Sequence, residues 1–144
     1  LISLSFLLWH LIAFVSIFFR NEIFEHKQNL NVDEILMSEA YKLGFQSVDF
    51  ILKLEFFHGL ALICWGFILF SGILLWRQLS GYLSIYLISL VAYFLLILSL
   101  MGFRYLLFEL TNYDQFSILL LTLIMLLPLI YPLFKKQMNI DDRD

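Results

Sequence analysis

The sequence predicts an all-α integral membrane protein, a four-helix bundle with one short amphipathic extramembrane helix between helices one and two. Of its 144 residues, 62% are hydrophobic and only 15% are charged, and the mean hydropathy is +0.89. A soluble domain normally has about a quarter of its residues charged. The charges are also segregated, which leaves four uncharged stretches close to or above the roughly 20 residues that cross a hydrocarbon core as a helix. These stretches are residues 1–19, 56–76, 78–103 and 115–134, and none shows the alternating polarity of a barrel strand.

The chain is expected to form a single membrane domain over residues 1–144. The spans are predicted at about 1–19, 56–76, 81–103 and 115–134, with an extramembrane loop at about 20–54 and a polar tail at 135–144. No small-residue cleavage site follows the first span, so it is expected to be a retained helix rather than a signal peptide.

The loop between the first two spans contains the extramembrane helix, in the stretch NVDEILMSEAYKLGF. Its apolar residues recur at helical spacing and form one stripe, Lys42 lies in the predicted last turn, and Gly44 ends the helix. Such a helix lies on the membrane surface, or against the mouth of the bundle, or connects two spans through solvent. The sequence leaves these alternatives open.

The later connections are short. Ser47 is a suitable N-cap for the second span, which is therefore able to begin before its apolar stretch. WRQLSGY joins the second and third spans as an antiparallel hairpin, and RYLLFELTNYD links the third span to the fourth. Pro128 and Pro132 lie in the fourth span, where a membrane helix tolerates proline with a kink.

Small residues indicate which helix faces pack closely, because membrane helices approach one another at such positions. Gly59 and Gly66 are two turns apart on one face of the second span. Ser84, Ala92 and Ser99 are predicted to serve the same purpose on the third span. The partners are either helices of this chain or other subunits.

The predicted location is a bacterial or mitochondrial inner membrane, crossed several times. The side that carries the 20–54 loop has five bases and the opposite side has four, so the charge balance alone does not orient the chain. The bases on the opposite side lie in short segments next to the ends of the spans, and this position favours a cytoplasmic or matrix C-terminus. That set comprises Arg77, Lys135, Lys136 and Arg143.

Ionisable residues at membrane depth are expensive, so each is a candidate for function. His10 lies within the first span, and His58 lies one turn inside the second, three residues after Glu55. The two histidines are candidates for metal or haem ligation, but their predicted depths differ by six residues, or about 9 Å at the helical rise. A single metal would be hard to reach from both, so no metal site is predicted.

A second hypothesis places a polar headgroup, a quinone or a small substrate near Glu55, His58 and Arg104. An acid beside a histidine is able to transfer protons near neutral pH. The alternative is an interfacial ion pair that fixes the depth of the helix.

Five residues, Arg20, Glu22, Glu55, Arg104 and Glu109, are further expected to form a charged ring at one mouth of the bundle.

A third hypothesis assigns no catalysis to the chain. The chain has no carboxylate in the middle of a span, no glycine-rich phosphate loop and no pair of broken helices. Sixteen Phe, seven Tyr and three Trp provide large surfaces for docking. No cofactor is required by the sequence, and nothing in it suggests nucleic acid; the expected partners are membrane lipid and other membrane protein subunits.

Two resemblances to known families accompany these patterns. One helix, an amphipathic loop and then an acid that opens a glycine-bearing helix (Glu55, Gly59, Gly66, Gly72) resemble DoxX-type small membrane proteins. SEAYKLGF followed by KLEFF is similar to the loop and second helix of the small three-helix core subunit of respiratory complex I. That family has a cysteine in this loop and acids within the helix, whereas this sequence has no cysteine in the loop and only apolar residues, glycine and serine in the helix beyond His58.

The sequence therefore favours a non-catalytic accessory or structural subunit of a larger membrane complex, in the setting of a respiratory or other energy-transducing chain. The competing interpretation is a self-contained, DoxX-like bundle that binds a quinone, a haem or a lipid-like ligand near Glu55, His58 and Arg104.

Overall fold

The computed structural model describes residues 1–20, 32–45 and 47–141, and it describes side chains as far as residue 129 except at a few positions near the two ends of the second helix. Within these residues the chain forms six helices and no strand, which confirms the all-α prediction. The helices are α1 (Ile2–Phe18), α2 (Val32–Leu43), α3 (Ser47–Trp76), α4 (Tyr82–Leu100), α5 (Gly102–Glu109) and α6 (Asn112–Asp141).

Three of these helices have stretches long and apolar enough to cross a membrane, namely Asp49–Trp76, Tyr82–Leu100 and Asn112–Leu129. They indicate an integral membrane protein. The first predicted span corresponds to α1, which is apolar but has only 17 residues. The predicted count of four spans therefore depends on α1, which is the shortest of the four.

The ends of the helices differ from the predicted spans. α3 begins at Ser47, inside the segment 20–54 that was predicted as a loop, because charged residues such as Asp49 and Lys53 are compatible with a helix that continues out of the lipid. α6 continues through both prolines, with a helical backbone as far as Asp141.

The third predicted span, 81–103, ends too late. α4 stops at Leu100, and Gly102 has a φ of +79°, a conformation that residues with a Cβ adopt only at a cost. This glycine turns the chain, and most of the predicted linker RYLLFELTNYD forms the short helix α5 instead of a loop.

The short helix predicted between the first two spans is present as α2. Gly44 ends it with a φ of +88°, and the amide of Phe45 donates to the carbonyl of Ala40 at 2.9 Å, the pattern of a Schellman cap. Ala40 is fully buried, and the ring of Phe45 contacts that of Phe50 with centroids 5.1 Å apart. The apolar face of α2 therefore packs against the beginning of α3, at the mouth of the bundle.

Aromatic side chains hold the bundle together, with α3 between α1 and α4. The ring of Phe6 stacks on Trp65 with centroids 4.2 Å apart, and Tyr93 meets the same indole edge-on at 5.5 Å. The hydroxyl of Tyr86 lies 2.6 Å from Oγ1 of Thr122 and ties α4 to α6. Buried aromatic pairs of this geometry add stability beyond the area that they bury.

The small residues divide into two groups. A Cβ placed on Gly59 would lie 3.3 Å from the ring of Phe14, and one on Gly66 would lie 4.0 Å from Leu7, so both glycines face α1. Ser84, Ala92 and Ser99 are exposed on α4. Within the part of the chain that the structure describes, no other helix covers them, and their packing against another subunit stays a prediction.

Candidate functional site

Two histidines meet in the core of the bundle. Nδ1 of His10 on α1 lies 2.9 Å from Nδ1 of His58 on α3, and both side chains are buried, with 0% and 4% of their surface exposed. A hydrogen bond between two nitrogens needs one donor and one acceptor, so exactly one of these Nδ1 atoms carries the shared proton when both rings are neutral.

The hydrogen-bond chain continues to α4. Nε2 of His10 lies 3.3 Å from the hydroxyl of Tyr93, which is 1% exposed. When His10 donates through Nδ1, its Nε2 accepts from Tyr93; when His58 donates, His10 Nε2 carries the proton and donates to the Tyr93 oxygen. The three residues therefore have two hydrogen-bonded states of opposite direction.

His10 and Tyr93 also form part of the wall of a pocket of about 640 Å³ between α1, α4, α5 and the start of α6. Most of the wall is apolar or aromatic, and several polar groups converge on it. The lining residues are Leu1, Ile2, Ser5, Phe6, Trp9, His10, Tyr93, Phe108, Glu109, Leu110, Thr111, Asp114 and Ser117.

Glu109 at the end of α5 is the acid placed most directly in this pocket. The indole nitrogen of Trp9 donates to its Oε1 at 3.4 Å. Burial raises the pKa of the Glu109 carboxyl, and the nearby Asp114 raises it further, whereas hydrogen bonds from Trp9 and Tyr105 act in the opposite direction. Burial likewise raises the pKa of Tyr105, with Glu109 as the next cause.

Asp114 has a structural partner of its own. Its Oδ2 accepts from the hydroxyl of Thr111 at 2.6 Å and from the amide of Thr111 at 3.0 Å, while its own amide donates to the Thr111 hydroxyl at 3.3 Å. This reciprocal arrangement is a capping box at the beginning of α6. It fixes the wall of the pocket beside Glu109.

The predicted ligand residues enter separate contacts. Glu55 accepts a hydrogen bond from Arg20 at 2.7 Å, and both side chains are largely shielded, at 25% and 22% exposure. His58 contacts His10, whereas Arg104 is exposed and its guanidinium lies beside Gly44. Ligand binding at these three residues stays a prediction, and Glu22 of the expected charged ring lies outside the described residues.

The expectation that His10 and His58 are too far apart to reach one group is wrong. The expected difference in depth assumed that the second span begins near residue 56, whereas α3 begins at Ser47. His58 therefore lies about three turns inside α3, at a depth comparable with that of His10 in α1. Among the residues that the structure describes, no group of three or more potential metal ligands is present, so the pair lacks further ligands there.

Trp9, Tyr93 and Glu109 are the site residues that the sequence did not single out. Two of them belong to a large set of aromatic residues, 16 Phe, 7 Tyr and 3 Trp, in which a functional position has no distinguishing mark. Glu109 was expected only as part of a charged ring. Its position depends on the turn at Gly102, which bends α5 back toward α1.

Comparisons of the chain with protein-family models, with curated proteins and with solved structures find no match. The likenesses to DoxX-type proteins and to the complex I subunit stay predictions from the sequence.

Proposed function

We propose that this chain is a four-span membrane bundle that binds a small amphipathic molecule in the pocket between α1, α5 and α6. The observation that supports it is the pocket itself, because its volume of about 640 Å³ and its wall of apolar and aromatic side chains with a few convergent polar groups are typical of ligand sites. In this proposal α1 crosses the membrane as the fourth span.

The lining indicates the chemistry of the ligand. Phe6 and Phe108 offer contact to an apolar body, whereas the carboxyl group of Glu109 and the hydroxyl groups of Ser5 and Ser117 offer hydrogen bonds to a polar end. Both ring nitrogens of His10 already lie in hydrogen bonds, which favours a hydrogen-bonded molecule over a haem ligated by histidine. A quinone or a lipid-like molecule from the surrounding bilayer has the required shape and polarity.

This pocket lies along the N-terminal half of α1, whereas the sequence hypothesis centred on Glu55, which pairs with Arg20 beyond the C-terminal end of α1. Glu55 belongs to a separate, more open pocket of about 300 Å³ whose other lining residues are apolar. That pocket offers a single ion-paired carboxylate to a ligand, compared with the several polar groups near Glu109.

The test is native mass spectrometry of the protein released from its membrane, with a pocket-filling variant. Ser117 lines the pocket, so the larger side chain of Ser117→Phe is expected to fill the pocket and abolish binding of the small molecule. Ser84→Phe is the matched control, because Ser84 is an exposed serine on the outer face of α4. A wild-type chain that carries no small molecule, or equal retention by both variants, would contradict the proposal.

A second candidate function is a non-catalytic subunit of a larger energy-transducing complex in a bacterial or mitochondrial inner membrane, with the C-terminus on the cytoplasmic or matrix side. The outward position of Ser84, Ala92 and Ser99 favours it, because small residues on one exposed face permit close approach of another helix. Native electrophoresis tests it: Ala92→Phe is expected to release the chain from a larger assembly, and migration of the wild type alone would exclude that assembly.

A further inference from the structure

The pocket follows one face of α1 through half of its length. The α1 residues in its wall are Leu1, Ile2, Ser5, Phe6, Trp9 and His10, which succeed one another turn by turn. At the helical rise of 1.5 Å per residue, the pocket extends about 14 Å along the helix from its first residue. It therefore connects the N-terminal end of α1 with the buried histidine pair.

Polar groups continue beyond the pair toward the other end of α1. His58 contacts His10 from α3, and Glu55 lies one turn before His58 on the same helix. The Glu55 carboxylate binds Arg20, which follows the C-terminal end of α1. Titratable or polar groups thus accompany α1 over its whole length, in a chain whose spans are mostly apolar.

We propose that these groups form a proton pathway across the bundle, with the pocket as its entrance, His10 and His58 as its central link, and the Arg20–Glu55 pair as its other mouth. Ionisable side chains are costly within a membrane, and a hydrogen-bonded pair of them in the core is typical of proton transfer. This proposal does not depend on which molecule binds the pocket.

The geometry gives a balanced transfer. His10 accepts a proton at Nε2 from the side of the pocket and Tyr93. The proton on its Nδ1 then moves to Nδ1 of His58, across the 2.9 Å that separates the two nitrogens. His58 then releases its Nε2 proton toward Glu55. Each ring ends neutral with the opposite tautomer. The starting state returns when each ring turns toward its own mouth of the pathway, binds a proton there at one nitrogen and releases one from the other, with no net transfer.

Larger ions are excluded from the link. Phe14 packs against Gly59 next to His58, and the ring of Phe57 meets His10 edge-on with centroids 5.6 Å apart. The elements packed around the pair also carry other titratable and charged groups. These groups are Arg20, Glu55, Cys64, Tyr86, Tyr93, Tyr105, Glu109 and Asp114, with Asp49, Lys53, Tyr82 and Arg104 nearer the ends of their helices.

The test is proton flux into liposomes that contain the purified protein, driven by a potassium gradient with valinomycin and followed with a trapped pH-sensitive dye. Proton flux into liposomes that contain the wild-type protein is expected to exceed the flux into protein-free liposomes. His58→Gln, which keeps a polar side chain but does not titrate, is expected to lose this flux, as is His10→Phe.

A matched pair of tyrosine variants separates the pathway from general packing. Tyr93→Phe removes the hydroxyl beside His10 and is expected to slow the flux, whereas Tyr86→Phe removes a hydroxyl bonded to Thr122, outside the pathway, and is expected to leave it unchanged. Wild-type flux equal to that of protein-free liposomes overturns the proposal, and so does undiminished flux in a folded His58→Gln protein. Neither result bears on whether Ser117→Phe displaces a ligand.

Discussion

Nδ1 of His10 and Nδ1 of His58 lie 2.9 Å apart, and this contact joins the shortest apolar helix to the central helix of the bundle. The hydrogen bond is buried, so neither nitrogen has water as an alternative partner. Removal of one ring therefore leaves the other with an unsatisfied polar group. This single removal destabilises the fold more per ring than removal of both rings together.

The first prediction concerns this coupling. His10→Phe and His58→Phe are each expected to lower the free energy of unfolding by about 1–3 kcal/mol, because each leaves a buried nitrogen unpaired. The double variant is expected to lose less than the sum of the two. A double-mutant cycle from unfolding in mixed micelles measures the difference, and strictly additive losses would show that the two rings do not interact.

The second prediction compares two glycines of α3. Gly59→Ala brings a methyl group to 3.3 Å from the ring of Phe14, so this ring must move by a few tenths of an ångström, whereas the same group at Gly66 meets only Leu7 at 4.0 Å. We expect Gly59→Ala to be less stable than Gly66→Ala, which gains up to about 1 kcal/mol of helix propensity. Thermal unfolding of the two purified variants in one detergent provides the comparison; equal midpoints would mean that α1 does not pack on Gly59.

The third prediction concerns Gly102, where the backbone and not a neighbour sets the requirement. A Cβ at Gly102 meets nothing within 4 Å, but its φ of +79° is strained for any residue with a side chain. Gly102→Ala is therefore expected to cost about 1–2 kcal/mol and to weaken the turn between α4 and α5. Gly72→Ala, within α3 and 3.7 Å from Met125, is the helical control. Loss of the Trp9–Glu109 contact, seen as a change in Trp fluorescence, is expected only for Gly102→Ala.

The fourth prediction is the pH dependence that Glu109 contributes. Because burial raises the pKa of this carboxyl above its ordinary value of 4.5, the folded protein binds more protons than the unfolded one just above that pH. Stability is then expected to fall as the pH rises from 4.5 through the raised pKa. Thermal midpoints over this range should decline less in Glu109→Gln than in the wild type, and parallel curves would refute the role of Glu109.

Much of the fold follows from the sequence because lipid imposes a simple rule on it. Long uncharged stretches must be helices, since a backbone in hydrocarbon has no other partner for its polar groups, and α3, α4 and α6 obey this. Gly44 likewise predicts the end of α2, because the required φ favours glycine. Hydrophobicity alone places the start of α3 too late, and it is the capping residue Ser47 that indicates the earlier start.

The site could be predicted only in part. His10 and His58 stand out as rare ionisable residues in apolar segments, but whether they meet depends on the register between α1 and α3, which no local pattern encodes. Glu109 reaches Trp9 through the turn at Gly102, which lies between α4 and α5. Long-range packing of this kind is absent from a single sequence.

The histidine pair is tested most directly by nuclear magnetic resonance of protein labelled with ¹⁵N-histidine in lipid bicelles. The structure predicts one protonated and one unprotonated Nδ1 that share a scalar coupling across the hydrogen bond, and loss of this coupling in both His10→Phe and His58→Phe. Two uncoupled Nδ1 signals that exchange rapidly with water would contradict a buried His10–His58 bond, and with it the proton pathway.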